Sequence, residues 1–353
     1  MPTLLEAKQR LDSIINKGRV DLYKPIQIAE VLHRARLHQD IDLTNKQSYQ
    51  NPSLRWRDQV SKQLLGKICT SSARFQHDLW NDTAMSTDFL VLLDQENQQH
   101  HGIVEAYIYA RFQERQGTVS NIINYISQKS AQDFELSDLL RLFLTEAGIR
   151  RSIDKAYEVV TYALFETIVT ALETKITVSI PSHTQKLLAD FEDLTQVLLG
   201  LNSQQNSWQT PAHIYRVGVT NAADRGLDMW ANFGPAIQVK HLSLDTSLAH
   251  SIVDQVESDH IVIVCKDSDA QVIQAITQQI TWGQRVRGIV TEADLIMWYE
   301  RCLRGQFCQK LANPLLQHLR LGFNAEFPQT HTIIDFLEVR AYPSLSNHTL
   351  WRI

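Results

Sequence analysis

The six residues His260–Cys265, HIVIVC, place the tightest constraint on what this chain can fold into. A continuous apolar run of that length is a strand with no wet face, and such a strand needs cover on both sides. The segments around it alternate. Helices are expected over Thr246–Val256, Ala270–Ile280 and Glu292–Leu303, with a further strand over Gly288–Thr291. That alternation implies an α/β core with at least partly parallel pairing.

Upstream of this core, AYEVVTYALFETIVTAL (Ala156–Leu172) is apolar nearly all round, as a helix buried against a sheet would be. Ser152 suits its N-cap, and Asp154 suits its first turn. Glu158 sits inside the apolar stretch. It can pair with Lys155 at i,i+3, or face a metal or a water. KITVSI (Lys175–Ile180) reads as a strand closed by Pro181. Residues 182–211 read as an insertion with one helix (Gln185–Leu199) and a polar loop (Asn202–Thr210), and His213–Thr220 reads as another strand.

Residues 1–150 read as a mostly helical N-terminal region. Leu4, Leu5, Leu11, Ile14 and Ile15 have helical spacing, Gly18 is a stop, and Pro25 opens a second helix. Residues 41–53 are turn-rich and read as a loop. Leu54–Phe75 carries Arg55, Arg57, Lys62, Lys67 and Arg74 against one acid, Asp58. It is either a solvated amphipathic helix or a DNA-facing element. Gln95–His101 reads as a surface loop. Its two histidines, His100 and His101, show no metal-ligand partner at helical spacing. The α/β core is assigned to 151–305, and 306–353 is left as a helical, then irregular, tail.

The chemistry concentrates in Gly218–Leu244. Gly226-Leu227-Asp228 leads into a short run ending at the turn signal Asn232-Phe233-Gly234-Pro235, and Ile237–Leu242 reads as a strand. On that strand Gln238 and Lys240 share one face, and Ile237 and Val239 share the other. A hairpin would carry Asp228 to Gln238 and Lys240. An acid, a carbonyl-bearing side chain and a lysine would then meet at one point, as metal-dependent phosphodiester hydrolysis requires. A plain cross-strand ion pair between Asp228 and Lys240 is the competing reading.

The formal net charge of −5 argues against a nonspecific polyanion coat. The charge is uneven, however: residues 1–80 balance to +5 and the remainder to −10. No apolar run approaches a membrane span, and the first thirty residues lack a signal-peptide core, so a cytoplasmic location is expected. Cys69, Cys265, Cys302 and Cys308 form no CxxC pair and read as reduced thiols.

The order Glu158 on a helix, Asp228 after a glycine turn, and Gln238-Val239-Lys240 on a strand resembles the PD-(D/E)xK nuclease superfamily. It is closest to the variant with glutamine in place of the third-motif acid, as in Mrr-like nucleases. RVGVTNAADRGLDMWANFG, AIQVKHLSLD, RSIDKAYEVV, HIVIVCK, TEADLI and LYKPIQIAE are similar to the HaeII family of type II restriction endonucleases. The resemblance implies an α/β nuclease core, a mixed central sheet flanked by helices, behind the helical N-terminal region. It implies Mg²⁺-dependent cleavage of double-stranded DNA at the palindrome purine-GCGC-pyrimidine. A methyltransferase would protect host DNA, and a homodimer would match the two-fold symmetry of the site.

On this resemblance Asp228, Gln238, Lys240 and Glu158 are the expected catalytic residues, and Asp228, Gln238 and Glu158 the expected metal ligands. Asn221, Arg225, Arg55, Arg57 and Lys62 are candidates for DNA contact, because arginine and lysine suit guanine O6 and N7. Two other functions fit the same motifs. One is an Mrr-like or repair nuclease acting on modified or branched DNA. The other is an inactive DNA-binding module that keeps the fold.

Overall fold

The computed structural model describes residues 2–68, 78–146, 148–217, 227–256, 258–268, 285–327 and 333–353. These fall into two compact units. One contains residues up to Val159 together with Leu319–Ile353, and the other contains Val160–Val217 with the described residues up to His318.

The first unit is helical. α1 (Leu4–Lys17) starts at a capping box in which Thr3 and Glu6 satisfy each other's backbone amides. It ends where Gly18 N donates to Ile15 O. α2 (Tyr23–His38) carries Pro25 in its first turn, where a missing N–H costs nothing. The expected loop over 41–53 contains a single turn of helix, α3 (Lys46–Tyr49), capped by Asn45. α4 (Pro52–Leu65), α5 (Thr87–Gln99), α6 (Ile103–Gln128) and α7 (Leu136–Thr145) follow. Leu11, Ile28, Leu32, Leu93, Val104, Phe112, Phe336 and Trp351 belong to its main core.

Gln95–His101 is therefore not a loop. Through Gln99 it is the last turn and a half of α5. Its polarity misled because Asn97 faces inward and is fully buried. The Asn97 side-chain oxygen accepts from Val104 N and Glu105 N, which joins α5 to α6. Two buried polar side chains of this unit tie its helices together. Glu105 accepts from Arg36 Nε, His33 Nδ1 and Asn97 Nδ2, each at 2.8 Å. Arg115 caps α1 from α6, donating to the carbonyls of Gly18 and Arg19 at 2.8 Å and to that of Ile15.

α8 (Ile153–Ala171) follows a short 3-10 turn at Arg150–Ser152. The second unit begins within α8, at Val160. β1 (Lys175–Ser179) comes next. The expected helix over 185–199 is two helices, α9 (Gln185–Asp190) and α10 (Glu192–Leu199). Phe191, at φ −116° and ψ 31°, leaves helical geometry between them. The expected polar loop over 202–210 contains most of β2 (Ser207–Pro211), which pairs antiparallel with β1 as a separate two-stranded ribbon. Trp208 opposes Val178 and Thr210 opposes Ile176, while the alternate residues face solvent.

The main sheet of this unit uses β3 (Ile214–Arg216), β4 (Met229–Ala231), β5 (Ala236–Val239), then β7 (Ile261–Cys265) and β9 (Val286–Thr291), in that order. β3, β4 and β5 form an antiparallel meander, and β5, β7 and β9 run parallel. β6 (Ser243–Leu244) and β8 (Asp267–Ser268) form a second, parallel ribbon. α11 (Thr246–Gln255) supplies Ala249, Ile252 and Val253 to the core formed with Ala236, Ile261, Ile263 and Cys265 on one sheet face. Ile237, Val239 and Val264 are buried on the other face, so β5 and β7 have no wet side. The expected mixed α/β core is present. The helix expected over 270–280 lies outside the described residues.

α12 (Glu292–Arg304) starts at a second capping box, Thr291 with Asp294, and its Tyr299 hydroxyl donates to Val160 O at 2.9 Å. α13 (Cys308–Glu326) and α14 (Ile333–Arg340) follow. No helix among the described residues is long and apolar enough to cross a membrane.

Candidate active site

The expected turn forms as the sequence indicates. Gly234 N donates to Ala231 O at 3.0 Å, and Ala231 N donates to Pro235 O at 2.8 Å. Gly234 sits at φ +119°, a value that favours glycine. Asn232 fastens the tip. Its side-chain oxygen accepts from His213 N at 2.8 Å and its amide donates to Pro211 O at 3.1 Å. The strand after the turn is shorter than expected, ending at Val239 rather than Leu242, so Lys240 lies just past its end.

Met229 opposes Ile237 in the β4–β5 register, which puts Asp228 beside Gln238. Asp228 Oδ2 accepts from Gln238 Nε2 at 2.6 Å and from Val239 N at 2.7 Å. The Asp228 carbonyl accepts from Val217 N at 2.9 Å, so its residue is held from both sides of the hairpin. Lys240 N donates to Val264 O at 2.8 Å and extends the ladder towards β7. Strand alternation puts Gln238 and Lys240 on one side of the sheet.

Gln238 is only 2% exposed. Its amide nitrogen must face Asp228, since its oxygen there would oppose a carboxylate. The oxygen Oε1 is then buried with no hydrogen-bond partner. Such a group costs about 1–3 kcal/mol unless something satisfies it. The donor chemistry here is a carboxylate and a neutral carbonyl oxygen, a set suited to a hard divalent cation such as Mg²⁺.

The remaining expected residues divide into three groups. Glu158 lies in the first unit, buried, with Lys155 Nζ at 2.7 and 2.8 Å from its two oxygens. The i,i+3 pair is therefore formed. Arg55 and Lys62 are exposed on α4, whereas Arg57 is 1% exposed. The Arg57 guanidinium turns inward onto Asp58 Oδ1, at 2.6 and 2.9 Å, and Gln27 Oε1, at 3.4 Å. Buried this way, it does not present itself to a ligand in solution. Asn221 and Arg225 lie outside the described residues.

Two features escaped sequence reasoning. Glu166 of α8 is buried, with Oε1 2.9 Å from His213 Nδ1 and Oε2 accepting from Ile214 N at 2.7 Å. It anchors the start of β3, and its only sequence signal is a carboxylate inside an apolar helix. Tyr215 and Trp230 are cross-strand partners on β3 and β4. Their rings stack 4.7 Å apart while both stay more than 40% exposed.

Comparison with known proteins follows the same stretch of chain. A family profile described as HaeII restriction endonuclease matches residues 7–342. The type II restriction enzyme HaeII of Haemophilus aegyptius is 48% identical over 330 residues, covering 94% of this chain and 94% of that protein. The type II restriction enzyme NgoBI of Neisseria gonorrhoeae is 44% identical over 346 residues, covering 97% of this chain and 98% of its own. No solved structure matches the chain significantly.

Proposed function

The chain belongs to the HaeII restriction endonuclease family, and on that premise we propose that the β4–β5 hairpin is its DNA-cleaving centre. The reaction is hydrolysis of a phosphodiester in double-stranded DNA, at purine-GCGC-pyrimidine, with Mg²⁺ as cofactor. The observation that carries this reading is the 2.6 Å bond from Gln238 Nε2 to Asp228 Oδ2, which leaves Gln238 Oε1 buried and unsatisfied. An acid and a carbonyl oxygen are thereby held together by the strand register itself.

Asp228 and Gln238 would hold the Mg²⁺. A bound Mg²⁺ would polarise the scissile phosphate and acidify a water. Lys240, next along on the Gln238 side, orients the attacking water and stabilises negative charge as it develops at phosphorus. The backbone bond from Val239 N fixes the direction of Asp228, so the acid needs no reorganisation when substrate arrives.

Once the β1–β2 ribbon with α9 and α10, and the short β6, are set aside, the element order supports a PD-(D/E)xK core: a helix, a three-stranded antiparallel meander, a helix, then a parallel strand. Arg55 and Lys62, exposed on α4, supply phosphate contacts. Arg225 and Asn221, just before Asp228 in sequence, supply base contacts. A homodimer matches the symmetry of a palindrome, and a cognate methyltransferase protects the same site in the host.

The test is incubation of unmodified, sequenced plasmid with the protein and Mg²⁺, mapping both cut ends. Fragments ending at one palindrome bear the proposal out. Cutting confined to branched or methylated DNA, or binding without cutting, overturns it.

A further inference from the structure

Another set of ligand-competent side chains lies in the first unit, far along the chain from the hairpin. Glu96 and His100 stand one turn apart at the end of α5, and His348 comes from the segment after α14. Glu96 Oε1 is 3.8 Å from His100 Nε2 and 3.2 Å from His348 Nε2. One donor atom from each residue lies within 4.8 Å of the others. The two imidazoles meet edge to face, with centroids 4.7 Å apart. The expectation that His100 lacks a partner at helical spacing is corrected by Glu96, four residues earlier.

Hydrogen bonding accounts for this cluster poorly. At 3.8 Å the His100 contact is too long to be a hydrogen bond. Glu96 Oε1 already accepts from the Trp351 indole at 3.0 Å. His348 Nδ1 is buried and has no hydrogen-bond partner. Two imidazole nitrogens nonetheless converge on that one oxygen. Tetrahedral Zn²⁺, with nitrogen and oxygen ligands at about 2.0–2.2 Å, sets neighbouring donors roughly 3.3 Å apart. The 3.2 Å separation is already there. A small rotation of His100, at the exposed helix end, closes the 3.8 Å one.

We propose that Glu96, His100 and His348 form a Zn²⁺ site, with water completing the tetrahedron on the His100 side. It clamps the C-terminal segment onto the end of α5. The surroundings are pre-organised. Asn97 fixes the α5–α6 corner, and the buried Trp351 fixes the segment carrying His348. Donor type separates this site from the hairpin. Imidazole favours Zn²⁺ and related transition metals, whereas the oxygen donors of Asp228 and Gln238 favour Mg²⁺.

The experiment uses the untagged full chain carrying Asp228→Asn, which removes the hairpin's carboxylate from the metal count. The protein is stripped with chelator, and Zn²⁺ is titrated calorimetrically and counted by elemental analysis after desalting. One equivalent is expected, with a rise in melting temperature that Mg²⁺ does not produce. Adding His100→Ala or His348→Ala should weaken Zn²⁺ binding by at least about tenfold, since even outer partners of a metal site matter that much. It should also abolish the thermal shift. Absence of Zn²⁺ binding, or unchanged affinity in the folded His100→Ala protein, overturns the proposal. His100 is at a helix end and partly exposed, so its loss leaves the fold intact even if His348→Ala does not fold.

Discussion

Gln238 donates its side-chain amide to Asp228 Oδ2 at 2.6 Å, and the same oxygen takes the backbone amide of Val239. One carboxylate oxygen therefore holds two consecutive residues of β5. Asp228→Asn keeps an acceptor at that point and removes the charge. It should fold normally, bind specific DNA and lose cleavage. Asp228→Ala removes the acceptor as well, and should also destabilise by about 1–3 kcal/mol. Plasmid cleavage with thermal melting of both variants checks the pair.

Lys240→Ala should abolish cleavage, by about 10²-fold or more, while leaving specific binding intact. Gel shift on a cognate duplex and single-turnover cleavage in Mg²⁺ separate the two quantities. Cleavage at the wild-type rate would remove Lys240 from the site.

Gln238→Glu exchanges an amide donor for a second carboxylate beside Asp228. The hairpin should be less stable in chelator, since like charges then face each other, and should recover stability in Mg²⁺. Melting curves in EDTA and in Mg²⁺ test this. A variant indifferent to Mg²⁺ would argue against cation binding at this pair.

Glu105 and Asp94 set the acid response of the first unit in opposite directions. Burial alone would raise the Glu105 carboxyl, but hydrogen bonds from His33, Arg36 and Asn97 outweigh it and hold the pKa at about 2. This depressed carboxylate contributes stability above its ordinary value of 4.5, lost as pH falls towards 2. Glu105→Gln should flatten that acid limb, and at pH 7 cost about 3–5 kcal/mol by leaving Arg36 without its anion. Asp94 is pushed up to about 6, by burial first and by the Glu105 charge, against a hydrogen bond from Gln98. Its raised pKa lowers stability as pH rises through 4 to 6. Asp94→Asn should raise the melting temperature at pH 8 and not at pH 4. Melting from pH 2 to 8 reads both.

Exposed Arg55 and Lys62 should each contribute about one unit to the slope of log affinity against log salt, so each alanine variant loses about that much. Arg57→Ala should instead lower thermal stability, because its partners are the protein's own Asp58 and Gln27. Salt-dependent binding titrations with thermal melts discriminate the two roles.

What the sequence could reveal depended on range. The buried strand β7 was legible because Ile261–Cys265 has no polar position, and the hairpin because Asn232–Gly234 encodes its own turn. Gly234 meets the positive φ expected of such a turn. β2 was hidden because its partner lies about thirty residues earlier and its solvent-facing residues dominate the composition. Among the basic residues of α4, nothing local marks Arg57 as the one turned inward; Gln27, on α2, does that. Glu96 and His348 are 252 positions apart, so only the folded tail brings them together.

The carboxylate of Asp228, just before β4, takes a β5 backbone amide that a strand carbonyl would otherwise take. Val239 N binds a side chain there. The proposed chemistry and the strand registration are thus written in the same letter. A lineage that discarded the acid would disturb the alignment of its own hairpin, so decay of the activity and loosening of the scaffold would arrive together. An inactive descendant should retain asparagine there more readily than any aliphatic residue.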